Sequence, residues 1–179
     1  MGLPIVRNGG FLYRERVSSR RTLLFFALLT LLFLVLSVWR FWTAGADALT
    51  WLFAFLALFF LFYVLNYRIL HIAVTQKSLR LVFGIFTWHA PLNRIEGAYS
   101  DHLTFLQRMG GAGIHFMIVR GRYRVFFNFL EYPRVTLLLA HPRGLVREVS
   151  FSTRRPRELL STLAQLDIPV GTGQNEAMQ

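Results

Sequence analysis

The sequence contains no cysteine, which removes a disulfide framework, a thiolate metal site and a cysteine nucleophile at once. Acidic residues are scarce: nine Asp and Glu stand against twenty Lys and Arg, a formal charge of +11. That excess suits anionic lipid, nucleic acid or an acidic protein face. The histidines, at 71, 89, 102, 115 and 141, show no HExxH or other ligand spacing. GGAG at 110–113 is not followed by Lys-Ser or Lys-Thr, so it reads as a turn rather than a phosphate loop. Ser100, Asp101 and His102 are the residue types of hydrolysis, but adjacent residues do not converge as nucleophile, base and orienter. The chain therefore reads as a non-enzyme with no cofactor, metal or small-molecule substrate. His71, which follows an apolar run closely, reads as an ordinary interfacial histidine, with ligation of a pigment or haem as the alternative.

What is abundant is apolar surface. In 179 residues, 54% are hydrophobic and 16% aromatic, with a mean hydropathy of +0.43, which points to a membrane protein. Residues 22–39 and 48–67 carry no charge. At 1.5 Å per residue each covers roughly a 30 Å hydrocarbon core, the first by extending to Trp42 with Arg40 snorkelling. The expected spans are 22–42 and 48–67, a two-helix hairpin. A core hairpin of a soluble protein would need apolar partners on every side of both helices. A cleaved signal peptide ending at Ala44-Gly45-Ala46 would have a shorter apolar run and no second span. With no ionisable residue inside either run, a channel or proton relay has no charges to use. Small residues for close helix approach are few; there is no GxxxG, and Ala54 and Ala57 mark the expected seam.

Arg7, Arg14, Arg16, Arg20 and Arg21 precede the first run, and Arg68, Lys77 and Arg80 follow the second. The connecting loop offsets Arg40 with Asp47. The positive-inside rule then puts both termini in the cytoplasm. Trp39, Trp42 and Trp51 form the expected outer aromatic belt, with Tyr63 and Tyr67 at the inner boundary; Arg20, Arg21 and Arg68 complete the interface anchors.

From residue 68 onward the pattern alternates between apolar and polar over short segments, the period of a half-buried sheet. Strands are expected near 69–75, 79–84, 86–90, 94–100, 114–119, 122–129, 134–140 and 145–151. LTFLQRMGGAG, 103–113, is expected as a turn or short helix, and HPRG, 141–144, as a hairpin turn. RPRELLSTLAQLD, 155–167, is expected as a helix with Pro156 in its first turn and Leu159, Leu160, Leu163 and Leu166 on one stripe. The expected organisation is a basic segment 1–21, the hairpin 22–67, a sheet domain 68–168 and a polar tail 169–179.

SLRLVFGIFTWHAPLNRIEGAYS, GAGIHFMIVRGRYRVFFNF and VREVSFSTRRPRELLSTL resemble the opening strands, glycine-rich return and closing strand-helix of bacterial pleckstrin-homology-like (PH-like) domains that follow membrane helices. The resemblance covers 68–167 and extends to the hairpin. It implies an α+β domain, a curved antiparallel sheet or barrel capped by a C-terminal helix. It also implies a binding or scaffolding role at the bacterial inner membrane rather than catalysis.

Within RGRYRVFFNF, 120–129, alternation puts Tyr123, Val125, Phe127 and Phe129 on one face. Arg120, Arg122, Arg124, Phe126 and Asn128 fall on the other. Separating aromatics from cations argues against single-stranded nucleic acid. The exposed arginines, with Arg154, Arg155 and Arg157 at the helix start, are the candidate contacts for anionic lipid or an acidic partner. The expected function is an accessory, structural or assembly subunit whose partners are membrane lipids and other membrane subunits. A lipid-binding surface regulator is the alternative.

Overall fold

A computed structural model of the chain describes residues 10–101, 113–119, 121–129, 131–143 and 145–172. Two helices, α1 (Arg20–Ala44) and α2 (Ala48–Asn66), contain neither Gly nor Pro. The Ser19 hydroxyl caps α1 by accepting from Thr22 N at 2.9 Å, and Gly45, at φ 74°, ends it. The Asp47 carboxylate caps α2, accepting from Thr50 N at 2.8 Å. Arg40 Nε and Nη2 donate to the same carboxylate at 3.1 and 2.7 Å. The Arg40 guanidinium and the Thr50 cap together hold the Asp47 carboxyl well below the usual carboxylate range. Arg40 thus closes the inter-helix loop.

Both helices are long and apolar enough to cross a membrane. Their seam is aromatic, with Phe26 against Tyr63 at 5.0 Å and Phe33 stacked on Phe60 at 5.5 Å. The Ser37 hydroxyl donates to the Thr50 carbonyl at 3.2 Å. Of the two alanines expected at the seam, Ala57 is buried and Ala54 half-buried. The outward large side chains stay exposed, Trp39, Trp42 and Trp51 at the loop end among them.

The strands form two sheets. β1 (Phe11–Val17), β2 (Leu70–Thr75), β3 (Ser78–Phe83) and β4 (Phe86–Pro91) make an antiparallel meander. A 3-10 turn at Leu92–Arg94 leads into the second sheet. This contains β5 (Ile95–Asp101), β6 (Gly113–Val119), β7 (Arg122–Asn128), β8 (Arg134–Arg143), β9 (Val146–Ser152) and β10 (Val170–Thr172), in the order β10-β5-β8-β9-β7-β6. The eight expected strands all form. The single antiparallel sheet does not: β7 pairs β9, and β10 pairs β5, in parallel, so the larger sheet is mixed, and no barrel closes among the described residues. Of the expected turns, 103–113 lies outside the described residues except for Gly113, and HPRG continues β8 as far as Arg143. The tail expected from 169 contributes β10 before leaving the described residues. Helix α3 (Pro156–Ala164) buries Leu159 and Leu163 and half-buries Leu160, while Leu166 packs against the same core just past its end. Phe83 of β3 meets Phe129, just past β7, edge to face at 5.1 Å, joining the two sheets through one apolar core.

The hairpin is not simply joined to the front of this domain. Val17 and Leu70 are cross-strand partners, so α1 and α2 are an insertion between two hydrogen-bonded strands. The stretch 1–21, expected as a separate basic segment, enters the sheet from Phe11. Tyr67, expected as an interface anchor at the inner boundary, is buried, 4.9 Å from the Phe83 ring and 6.3 Å from Phe86. A boundary at 68 would cut through this packing. Burial, with a contribution from Tyr63, pushes the Tyr67 phenol up to about 12.

Candidate functional site

Three of the four aromatic-face residues of the β7 stretch, Val125, Phe127 and Phe129, enter the core; Tyr123 stays exposed near the start of the strand. The opposite face is the surprise. Arg124 is 3% exposed, Phe126 0% and Asn128 1%, so both faces of this strand are covered and Arg124 is not an exposed cation. Arg120 lies outside the described residues.

Register explains what Arg124 meets. It stands opposite Glu148 of β9, while Tyr99 of β5 faces Thr136 of β8 and Thr136 faces Ser150 of β9. Side chains directly opposite one another share a face, so polar positions on four strands form one network. Arg124 Nε donates to Glu148 Oε2 at 2.6 Å and Nη2 to the Tyr99 hydroxyl at 2.9 Å, and Nη1 pairs with Asp101. The Thr136 hydroxyl lies 3.2 Å from Asp101 Oδ2 and 3.0 Å from Ser150 Oγ. Burial, opposed by Arg124 and reinforced by the Glu148 and Asp101 carboxylates, pushes Tyr99 up to about 12. A guanidinium committed to two buried carboxylates has little left for a lipid phosphate. Asp101 is likewise committed, to Arg124 and Thr136.

Phe126 carries Arg124 and Arg134 over its ring at 5.6 and 5.8 Å, and His115 of β6 stacks on it at 4.8 Å. His115 Nδ1 is buried without a hydrogen-bond partner. Burial, then Arg134, holds this imidazole below its ordinary pKa. His71 of β2 stands opposite Arg16 and Val82; burial, then Arg16 and Arg14, lowers its pKa too. No group of three or more potential metal-ligating side chains occurs among the described residues.

The other expected contacts divide by position. Arg122 is half-exposed and lies 3.6 Å from Glu148 Oε1. With Arg147, Glu96 and residues 138–140 it lines a shallow cleft of about 280 Å³. Arg154 Nη2 donates to the Ser18 carbonyl at 2.7 Å and to the Tyr132 hydroxyl at 2.9 Å, beside the start of α1. Arg155 pairs with Glu158 at 2.9 Å, and Arg157 is exposed. Arg20 and Arg21 are exposed at the start of α1, Arg21 lying 3.7 Å from Glu131, and Arg68 is exposed just after α2.

A second network has no counterpart in the sequence reading. Glu15 of β1 is 5% exposed and accepts from Tyr13 Oη at 2.6 Å, Thr153 Oγ1 at 2.5 Å and Arg154 N at 2.8 Å. Burial and the Glu15 carboxylate raise the Tyr13 phenol. This cluster ties β1 to the residues that lead into α3. Its signal was the alternation Tyr13, Glu15, Val17, hidden because the middle member is charged.

No family model matches the sequence, and neither the curated proteins nor the solved structures include a match to it. The layout of two apolar helices, a sheet-rich domain and a late helix therefore rests on the chain's own residues.

Proposed function

We propose that the chain is a non-catalytic, membrane-anchored PH-like interaction module, an accessory, structural or assembly subunit of a larger inner-membrane complex. The observation that carries this reading is the insertion of the hairpin between paired strands. An anchor tethered by a flexible linker leaves its domain free to tumble; here Val17 opposite Leu70 and the buried Tyr67 hold the domain against the helices. Such a coupling suits a part that must present one surface at a set position. The apolar outer faces of α1 and α2 are available to lipid or neighbouring helices, and basic flanks favour termini in the cytoplasm. The buried ion network favours a structural role for Arg124 over a catalytic one.

The surface presented is the Arg122–Arg147 cleft. Arg122 lies seven residues along the chain from Phe129, roughly 23 Å at ~3.3 Å per residue. Phe129 in turn packs near the hairpin base through Phe83. The cleft therefore lies at the end of β7 away from the hairpin base, which favours an acidic protein face over lipid there. Purification from native membranes in mild detergent should yield the chain together with other proteins, and charge reversal at Arg122 and Arg147 should deplete them. A chain that always runs alone, at 20.8 kDa plus micelle, overturns the proposal.

A lipid-binding role is favoured by a different residue. Arg154, bonded to the Ser18 carbonyl, sits beside the first turn of α1. Under that reading, interaction with anionic vesicles falls steeply with salt, and equal interaction with neutral vesicles rules it out.

A further inference from the structure

The tip of the β3–β4 hairpin is chemically out of place for a turn in water. Phe83 and Phe86 are paired, leaving Gly84 and Ile85 as a two-residue connection. Gly84 has φ 61° and takes the first central position, as turns matched to strand twist require. The second central position normally takes a polar or small residue. Here it is Ile85, 71% exposed, followed by Phe86, 42% exposed.

The location of this tip gives the reason. A β-carbon at Gly84 would overlap the Asn66 carbonyl oxygen and lie 2.9 Å from its carbon, so the turn lies against the last residue of α2. Phe86 stacks on Tyr67, interplanar angle 4°, at the same level. Arg68, exposed, is the next residue. An apolar tip, a stacked aromatic and a cation at the end of an apolar helix are the ingredients of a bilayer interface.

We propose that Gly84–Ile85–Phe86 is a third membrane contact, a wedge that enters the headgroup and acyl boundary beside the hairpin and fixes the domain's tilt. The occupant is lipid, bound through apolar burial rather than charge, so contact persists at high salt. This inference rests on the hairpin spanning a bilayer.

The absence of native cysteine makes the test clean. Ile85→Cys, Leu58→Cys and Lys77→Cys variants of the full chain are labelled with an environment-sensitive fluorophore. They are reconstituted in mixed zwitterionic and anionic phospholipid vesicles, with and without lipids bearing an acyl-chain nitroxide quencher. Leu58 is exposed midway along α2, and Lys77 is exposed at the opposite end of β3 from Gly84. The expected result is a blue shift and loss of emission at 58 and 85, unchanged in high salt, with position 77 unaffected. Loss at 58 but none at 85 overturns the wedge and leaves the hairpin intact. Emission retained at 58 overturns the membrane reading and the wedge with it. Far-UV circular dichroism of each labelled variant confirms that the fold compared is the same.

Discussion

Removing Arg124 leaves the Asp101 carboxylate with only the Thr136 hydroxyl and the Glu148 carboxylate with only the half-exposed Arg122, and breaking a buried pair in this way costs up to about 3–5 kcal/mol. Arg124→Met should therefore lower the denaturation midpoint of the detergent-solubilised chain sharply. The combined Arg124→Met, Asp101→Asn, Glu148→Leu chain should recover most of the loss, because it removes all three charges together and leaves none of them buried without a partner. Arg122→Ser, at a half-exposed pair, should cost about 1 kcal/mol or less. His115 makes the opposite case. Its Nδ1 is buried without a partner, so His115→Phe, which keeps a ring against Phe126, should be neutral or stabilising by up to ~1 kcal/mol. It should also change the pH response. His115 and His71 both titrate below the ordinary 6.5 in the folded chain, so the unfolded chain binds protons first as pH falls. Their stabilising effect is complete above that value and is lost as pH drops through the folded-state pKa values. Thermal melts from about pH 7 to about pH 5 should show falling stability, with a shallower fall in His115→Phe.

At the scale of elements, Gly84 joins the sheet to the hairpin, and its cost of substitution can be separated into parts. Gly84 and Gly121 both have positive φ, 61° and 75°. A β-carbon at Gly121 meets nothing within 4 Å, whereas at Gly84 it overlaps Asn66 backbone. Gly121→Ala should cost only the left-handed backbone penalty, about 1–2 kcal/mol. Gly84→Ala should cost distinctly more in a parallel denaturant series; equal losses would show that the turn is not packed on α2. The strands themselves were visible in the sequence wherever one face was apolar and the other polar, which is why β2 to β9 fall near their expected bounds. β1 was not, because buried Glu15 interrupts its inward row and the stretch read as basic. β10, at three residues, is too short to show a period. The parallel pairings of β7 with β9 and of β10 with β5 join segments far apart in the chain, and alternation within a strand says nothing about its neighbour. For the same reason the pattern does not separate buried Arg124 from exposed Arg122: period two tells which side chains share a face, not whether that face is covered.

For the whole molecule, the question is how far the domain depends on the helices placed inside it. The continuous core draws on β1 to β9 and α3, and from 18–69 it takes only Tyr67 as a buried member, with Tyr63 packed partly against it. Since Val17 and Leu70 already face each other across β1 and β2, an Asn-Gly turn can replace 18–69 without stretching either strand. Such a chain should keep both sheets, giving a strand-dominated far-UV spectrum and one cooperative melt. It should be less stable than the full chain by about 3–5 kcal/mol, the usual cost of deleting a large buried aromatic. It should also self-associate through the uncovered Phe83 and Phe86 until polar residues replace Ile85 and Phe86 at the tip. A melt without cooperativity, in the chain carrying those polar replacements, would show instead that the helices hold the sheets together. The two apolar helices would then be part of the domain's folding unit rather than its anchor.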